Sequence, residues 1–277
     1  MSEILKKEDY AEPECPLCIE NLKRGTNITA IPVARVMDKL DEYFAKNDYA
    51  GAEIHLLYWK NEADAGFDLR GRFSVLNELM GLYRKTGQKE KAFLTVGETF
   101  ETIKALENEE SISAATAYLN AATVYKAFGE AEKSLRLFEK AKSIYETELE
   151  KDDARLGGLY NNFALTLVDL ERFEEALELY QKALNTMKNA ENGELEQAIT
   201  YLNIADLYDK MLGSENAEKK VQECLDTAEK LLDAERLPKN GYYAFVCEKC
   251  APSFSYYGRF AFAAQLNKRA KEIYERS

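Results

Sequence analysis

The stretch YLNAATVY at residues 118–125 is the first of three copies of one pattern in this chain. The second copy is YNNFALTL at residues 160–167 and the third is YLNIADLY at residues 201–208, so the offsets are 42 and 41 residues. Each copy is followed, after a short gap, by a second apolar phrase with helical spacing. These phrases are Ser134-Leu135-x-x-Phe138-x-x-Ala141, Ala176-Leu177-x-x-Tyr180-x-x-Ala183 and Ala217-x-x-x-Val221-x-x-Cys224. The pattern predicts a repeated unit of helix, turn and helix.

The pattern resembles the tetratricopeptide repeat, in which a bulky residue, a small residue and Tyr mark the first helix and Ala, an aromatic residue and Ala mark the second. In the first copy the matching residues are Tyr118, Ala122, Tyr125, Gly129 in the turn, Ser134, Phe138 and Ala141. The usual period of the family is about 34 residues, so a period near 42 residues implies that each helix has an extra turn. This longer form is similar to the repeats of kinesin light chains and of bacterial intracellular peptide receptors.

Weaker copies extend the register in both directions. Repeats starting near residues 33, 73, 115, 157, 198 and 244 make an array over residues 32–277, with degenerate copies at its ends as capping repeats require. The resemblance implies an all-α fold, a right-handed superhelix of about six helix pairs. Residues 1–31 are expected to form an N-terminal cap or loop segment. Only 5 Pro and 31% charged residues in the chain agree with exposed helix faces.

The net charge of −12 argues against nucleic acid and against anionic membrane surfaces, because both attract Lys and Arg patches. A protein or peptide partner with basic residues is more compatible. The start of the chain has no apolar core of signal-peptide length, and no apolar run approaches the ~18 residues of a membrane span. The sequence therefore predicts a cytoplasmic protein.

Residues that could carry catalysis are few. The chain has one His, no glycine-rich phosphate loop and no pattern that joins a nucleophile to a base. His55 is expected to be a packed or surface residue. The sequence thus predicts a protein that is not an enzyme and needs no cofactor.

The five cysteines raise the question of a metal site. Cys15-x-x-Cys18 and Cys247-x-x-Cys250 would give four zinc ligands, but the two pairs lie at opposite ends of the predicted array. Cys247, Cys250 and Cys224 fall at apolar core positions. Cys15 and Cys18 lie in a Pro-containing loop, so half of a metal site or a redox pair stays open there, and no tightly bound zinc is expected.

The predicted inner face carries a repeated asparagine. In this family the first helix of each repeat lines the concave face, and the sixth residue of three consecutive repeats is Asn: Asn120, Asn162 and Asn203. This asparagine ladder resembles one with which kinesin-light-chain-like arrays hold an extended peptide, and a carboxamide can pair with both N–H and C=O groups of a peptide backbone. Asn77 and Asn161, each the fifth residue of its repeat, are expected to extend it. The alternative is that Asn recurs as part of the repeat consensus and bonds across the helix pair.

Acidic residues are also expected on the inner face. Asp169, Asp206 and Asp209 favour a peptide that carries Lys or Arg. The set of Lys, Asn and Arg side chains with which some relatives bind chaperone C-termini is missing, which disfavours that ligand.

Eight aromatic residues crowd residues 242–262. Phe254 and Phe260 fall at packing positions, whereas Phe245 and Tyr256 are expected to point into the groove as apolar contacts for a partner. The alternative is that the cluster seals the C-terminal end or forms a dimer face. Pro252, inside the first helix of the last repeat, predicts a kink.

These features favour a non-enzymatic scaffold that binds an extended peptide or a linear segment of a partner protein. A bacterial intracellular receptor for a signal peptide and a structural module for homo-oligomers are the alternatives. Residues 1–31 are too short for the DNA-binding domain that some such receptors carry.

Overall fold

The computed structural model describes residues 28–188 and 190–276, and these ranges contain helices joined by short turns, with no strand. The predicted all-α helical repeat fold is confirmed. In chain order the helices are α1 (Val33–Ala45), α2 (Tyr49–Ala65), α3 (Leu69–Lys85), α4 (Lys89–Ala105), α5 (Ile112–Ala127), α6 (Ala131–Glu148), α7 (Ala154–Asp169), α8 (Phe173–Met187), α9 (Gly193–Leu212), α10 (Ser214–Leu232), α11 (Gly241–Tyr256) and α12 (Phe260–Tyr274).

The chain divides into two compact units, Met1–Ile144 and Tyr145–Ser277, with the boundary inside α6. In the first unit α1 packs on α2 and α3 on α4, while α3 also contacts α1 and α5. In the second unit α7 packs on α8, α9 on α10 and α11 on α12, while α9 also contacts α7 and α11. Within each unit, therefore, the first helix of one pair lies against the first helix of the next.

A small residue is buried where the two helices of each pair meet. It is the twentieth residue of every repeat, counted from the starts given above, and it is at most 5% exposed. These residues are Ala52, Ala92, Ser134, Ala176, Ala217 and Ala263. The polar Ser134 can be buried between α5 and α6 because its hydroxyl donates a hydrogen bond of 2.8 Å to the carbonyl oxygen of Ala122 on α5. Burial of a small side chain lets two helix backbones come close together.

Short polar side chains start many of the helices. Asp48, Asp68, Ser111 and Asn240 precede α2, α3, α5 and α11, and each side chain accepts a hydrogen bond from a backbone N–H of the first turn. Turns between helices pass through left-handed backbone conformations, which Gly adopts without strain at positions such as Gly129 (φ 78°). The starts of these helices are thus set by local sequence.

The start of the described chain is tied to the turn between α2 and α3. The backbone N–H of Thr29 donates to the carbonyl oxygen of Gly66 at 2.9 Å, and that of Ile31 donates to Oδ2 of Asp68 at 2.9 Å.

His55 is half-buried, and its Nε2 lies 2.9 Å from the carbonyl oxygen of Val36. His55 is thus a packed residue, as expected.

The last helix pair corrects one expectation. Phe254 is buried as predicted, but Phe260 is 67% exposed, so its predicted packing role is wrong. Phe260 is the first residue of α12, and Phe262, half a turn further on, supplies the ring that packs on Phe254 at 4.8 Å between centroids. Pro252 lies inside α11 without interrupting it.

The buried small residues give a first prediction. Replacing Ala176, which is fully buried, by Leu should destabilise the protein by about 1–3 kcal/mol because the added methylenes force α7 and α8 apart. Ala264 is exposed on α12, so Ala264→Leu is the matched control and should change stability by no more than about 0.5 kcal/mol. Urea unfolding followed by helical circular dichroism measures both. Equal effects of the two substitutions would contradict the close approach.

Candidate functional site

Asparagines of neighbouring first helices bond to each other in the first unit. Nδ2 of Asn120 on α5 donates to Oδ1 of Asn77 on α3 at 3.2 Å. Asn77 in turn donates from Nδ2 to the carbonyl oxygen of Phe73 at 3.0 Å. The sixth residue of one repeat is thus paired with the fifth residue of the repeat before it.

The same bond recurs in the second unit. Nδ2 of Asn203 on α9 donates to Oδ1 of Asn161 on α7 at 3.0 Å. Asn161 is only 9% exposed, so its side chain bonds to Asn203 and has little access to solvent. Asn162 is half-buried and donates from Nδ2 to the carbonyl oxygen of Gly158, one turn back in its own helix, at 2.9 Å.

Sequence reasoning missed this pairing, although a signal was present. Asn77 and Asn120 are 43 residues apart, and Asn161 and Asn203 are 42 residues apart, which is close to the repeat period. An Asn in the fifth position followed one repeat later by an Asn in the sixth position indicates a bond between adjacent first helices.

The pairing leaves each half-buried carboxamide with further capacity. A carboxamide has two N–H donors and one acceptor oxygen, and the bonds above use one donor of Asn120, Asn162 or Asn203. Within the part of the chain that the structure describes, no donor occupies Oδ1 of Asn120 or Asn203. These groups can therefore accept and donate further hydrogen bonds while the pairing fixes their orientation.

The predicted acidic residues lie in the second unit. Asp206 and Asp209 are half-buried near the C-terminal end of α9, and Asp169 ends α7. Oδ2 of Asp206 forms an ion pair of 3.0 Å with Nζ of Lys210, four residues further along the helix. The structure thus places carboxylates at the C-terminal ends of two adjacent first helices.

Two tyrosine hydroxyls of the second unit are buried without a hydrogen-bond partner in the ranges that the structure describes, and sequence reasoning missed both. Within the described residues, the hydroxyl oxygens of Tyr180 and Tyr257 are buried and have no hydrogen-bond partner. Burial raises the pKa of the Tyr180 hydroxyl, and the negative charges of Asp206 and Asp169 raise it further. Burial likewise raises the pKa of Tyr257, with added contributions from Asp206 and Asp209. Both hydroxyls therefore stay protonated.

The two candidate aromatic contacts are exposed, Phe245 by 50% and Tyr256 by 74%. The ring of Phe245 stacks on that of Tyr242 with centroids 6.2 Å apart. Nζ of Lys249, the sixth residue of the last repeat, lies 6.0 Å from the Phe245 ring centroid. The ring of Tyr256 meets that of Tyr257 edge-on at 4.9 Å. Both side chains are thus accessible to a ligand.

The cysteines of the second unit are core residues. Cys224, Cys247 and Cys250 are buried, as their helical register predicts. Burial raises the pKa of all three thiols, to about 11 for Cys224 and about 12 for Cys250, so they are poor nucleophiles near neutral pH. Cys15 and Cys18 lie outside the described residues.

No helix in the described ranges combines the length and the apolar character needed to cross a membrane.

Two family models match the sequence, and both are described as tetratricopeptide repeat. One covers residues 114–154 and the other covers residues 155–230. Together with the paired helices, they identify the class as an all-α helical repeat. Residues 114–230 thus consist of tetratricopeptide repeats. No curated protein sequence matches it.

Solved structures with the same fold include three of direct interest. Nearly identical repeats of a putative kinesin light chain from Podosopora anserina are 19% identical, with a TM-score of 0.52, and the match covers 74% of this chain and 97% of that one. A Rap protein complexed with competence and sporulation factor is 15% identical, with a TM-score of 0.58, and the match covers 90% of this chain and 66% of that one. NprR in complex with its cognate peptide NprX is 15% identical, with a TM-score of 0.54, and the match covers 91% of this chain and 70% of that one. At these identities the likeness shows the fold alone.

The Asn161–Asn203 bond gives a second prediction. We expect a double-mutant cycle with Asn161→Ala and Asn203→Ala, scored by urea unfolding, to give a coupling energy of about 0.5–1.5 kcal/mol, the net contribution of one partly buried hydrogen bond. The cycle of Asn77 and Asn120 serves as an internal replicate and should give a similar value. Additive effects in both cycles would mean that the amide bonds do not form in solution.

Proposed function

We propose that the chain is a non-enzymatic scaffold whose first helices hold an extended peptide or a linear segment of a partner protein. The repeat family as a class supports a protein-binding scaffold. The observation that carries the finer proposal is the orientation of Asn120 and Asn203 by their bonds to Asn77 and Asn161.

Orientation matters because an extended segment offers mainly backbone N–H and C=O groups. A carboxamide that is already fixed loses little side-chain entropy when it binds such a group. The Asn–Asn bonds are therefore compatible with both a structural and a binding role of the asparagine ladder. They join neighbouring helices, and they also fix half-buried amides in place for a ligand. The cognate peptide in the NprR complex supports the same role by analogy of fold.

The charge of the chain favours a segment with basic residues. The net charge is −12, and Asp206 and Asp209 lie on the first helix α9, the helix that also carries Asn203. Opposite charge speeds encounter and disfavours acidic competitors. We place this activity in the cytoplasm, in line with the sequence prediction.

Asn162 offers the sharpest test, because its side chain bonds only within its own helix among the described residues. Peptides recovered from a random decapeptide library on the full chain would be labelled and titrated by fluorescence polarisation. Asn162→Ala should weaken their binding by about 1–2 kcal/mol, the scale of a lost hydrogen bond at a partly buried site, with helicity unchanged.

The matched control is Asn185→Ala, the same change at an exposed position on α8, and it should leave affinity unchanged. Failure to recover any binding peptide, or equal affinity of wild type and Asn162→Ala, would contradict the proposal.

Phe245 is the proposed apolar contact for the same segment, and Tyr256 is the second. An exposed aromatic ring gives a large contact area with few rotatable bonds. Phe245→Ser should reduce the affinity of the recovered peptides by about 1–2 kcal/mol, while Phe260→Ser, at an even more exposed ring on α12, should not. Light scattering on the same samples gives the oligomer mass. A change in mass with peptide affinity intact would instead identify Phe245 as part of a dimer face.

A further inference from the structure

A cavity of about 390 Å³ lies between three first helices of the first unit, α1, α3 and α5. Its volume falls near the lower end of the range of ~300–1,000 Å³ that is usual for ligand pockets, so it suits a short stretch of a partner. Helix α3 supplies most of the wall. The lining includes Phe44 of α1, Ala127 of α5 and, on α3, Glu78, Gly81, Arg84 and Lys85.

Gly81 leaves the backbone of α3 open to this cavity. It lies in the interior of the helix, where Gly is less favourable than Ala. A side-chain carbon at Gly81 would meet no atom within 4 Å beyond its own stretch of helix, so packing against a neighbour does not require a glycine there. Without a side chain at this position, a ligand can lie directly on the helix backbone.

Glu78 is a half-buried carboxyl group one turn before Gly81. It is the sixth residue of its repeat, the place that Asn120 takes in the next repeat. Among the described residues, its side chain has neither a hydrogen-bond partner nor an ion-pair partner. Burial raises the pKa of the Glu78 carboxyl, and the negative charge of Asp41 raises it further. A bound cation would offset the free energy that burial of this charge costs.

The other end of the cavity carries cations. Arg84 and Lys85 lie in the last turn of α3, and neither forms an ion pair within the part of the chain that the structure describes. Nζ of Lys85 lies 4.9 Å from the ring centroid of Tyr49 and 5.8 Å from that of Phe44. The wall formed by α3 therefore changes from negative to positive along the helix.

This change of sign selects the ligand. A segment with only basic side chains would meet Arg84 and Lys85, and one with only acidic side chains would meet Glu78. Lys85 follows Glu78 by seven residues, which is about 10 Å along the axis of an α-helix. An extended segment rises about 3.3 Å per residue, so two opposite charges about three residues apart match this distance.

We propose that the cavity between α1, α3 and α5 binds a dipolar stretch of the partner segment, with a basic side chain on Glu78 and an acidic side chain on Arg84 and Lys85. The backbone between these two side chains crosses Gly81. The assignment rests on the proposed function for the source of the stretch, which is the bound segment.

The test uses short probes on the full chain, so that it does not depend on a known partner. The probes are the N-acetylated and amidated tetrapeptides Lys-Ala-Ala-Asp, Lys-Ala-Ala-Asn, Gln-Ala-Ala-Asp and Gln-Ala-Ala-Asn, each titrated by NMR at low ionic strength, where screening is weak. We expect the dipolar probe Lys-Ala-Ala-Asp to bind severalfold more tightly than either singly charged probe. The neutral probe should leave the spectrum unchanged.

Charge variants test each end of the cavity. Glu78→Gln should weaken the dipolar probe about tenfold, whereas Glu101→Gln, the same change at an exposed position on α4, should have no effect. Arg84→Gln/Lys85→Gln should weaken the dipolar probe to the level of Lys-Ala-Ala-Asn. Glu78→Lys should reverse the preference, so that the doubly acidic peptide Asp-Ala-Ala-Asp binds more tightly than Lys-Ala-Ala-Asp. A purely structural role of Glu78 would not produce that reversal.

A matched pair of glycine variants tests the cavity without changing any charge. Gly81→Leu fills the cavity and should abolish binding of the dipolar probe. Gly97→Leu is the control, because Gly97 lies inside α4 and a side-chain carbon there also meets no atom within 4 Å. Leu forms helix more readily than Gly, so neither variant should lower the thermal midpoint.

Three results would overturn the assignment. They are equal binding of the dipolar and neutral probes, equal effects of Gly81→Leu and Gly97→Leu, and an unchanged probe preference in Glu78→Lys. The proposed function is tested separately. Library peptides that depend on Asn162 but bind Glu78→Gln as tightly as the wild type would sink the dipolar site alone. Selective binding of the dipolar probe with no peptide recovered from the library would leave this site standing and sink the peptide scaffold.

Discussion

The close approach of the two helices in each pair is the constraint on which the rest of the structure depends. A residue no larger than Ala or Ser is buried at the twentieth position of every repeat, from Ala52 to Ala263. Only a small side chain lets the backbones come near enough for the larger residues around it to interlock at the density of a protein core. Ser134 shows how strict the requirement is, since a polar residue is accepted there when its hydroxyl finds the Ala122 carbonyl.

That constraint also creates the candidate site. Because each second helix packs tightly under its own first helix, the first helices of neighbouring repeats meet within each unit. Residues about one period apart in sequence then come within hydrogen-bond distance, as Asn161 and Asn203 do. Within each unit, the same spacing that closes the core thus orients one amide on the later of two adjacent first helices. The stability of the core and the orientation of these amides depend on one geometric repeat, so a change at a buried small position is also expected to disturb the amides.

The helix pairing and the buried positions were largely predictable from sequence, for a physical reason. Helix pairing is written as a period of apolar and small residues, and burial follows that period closely, as at Cys247 and Ala251. Side-chain partners are another matter. Asn203 bonds to Asn161, whereas Asn162 bonds within its own helix, and rotamers and neighbouring backbones decide between these outcomes. The prediction for Phe260 failed for a related reason. Its register alone predicted a core position, but Phe260 is the first residue of α12, and Phe262 makes the contact with Phe254 instead.

The chain departs from local rules at a few places in the second unit. Tyr180 has a hydroxyl that its packing does not require, and Asp169 and Asp209 lie where helix dipoles favour cations, as Lys85 and Lys126 do in the first unit. A sequence free to optimise stability alone would place Phe and Lys at such positions. On α9, however, Lys210 directly follows Asp209 in the last turn and pairs with Asp206 at 3.0 Å. This cation offsets the carboxylates at the C-terminal end of that helix.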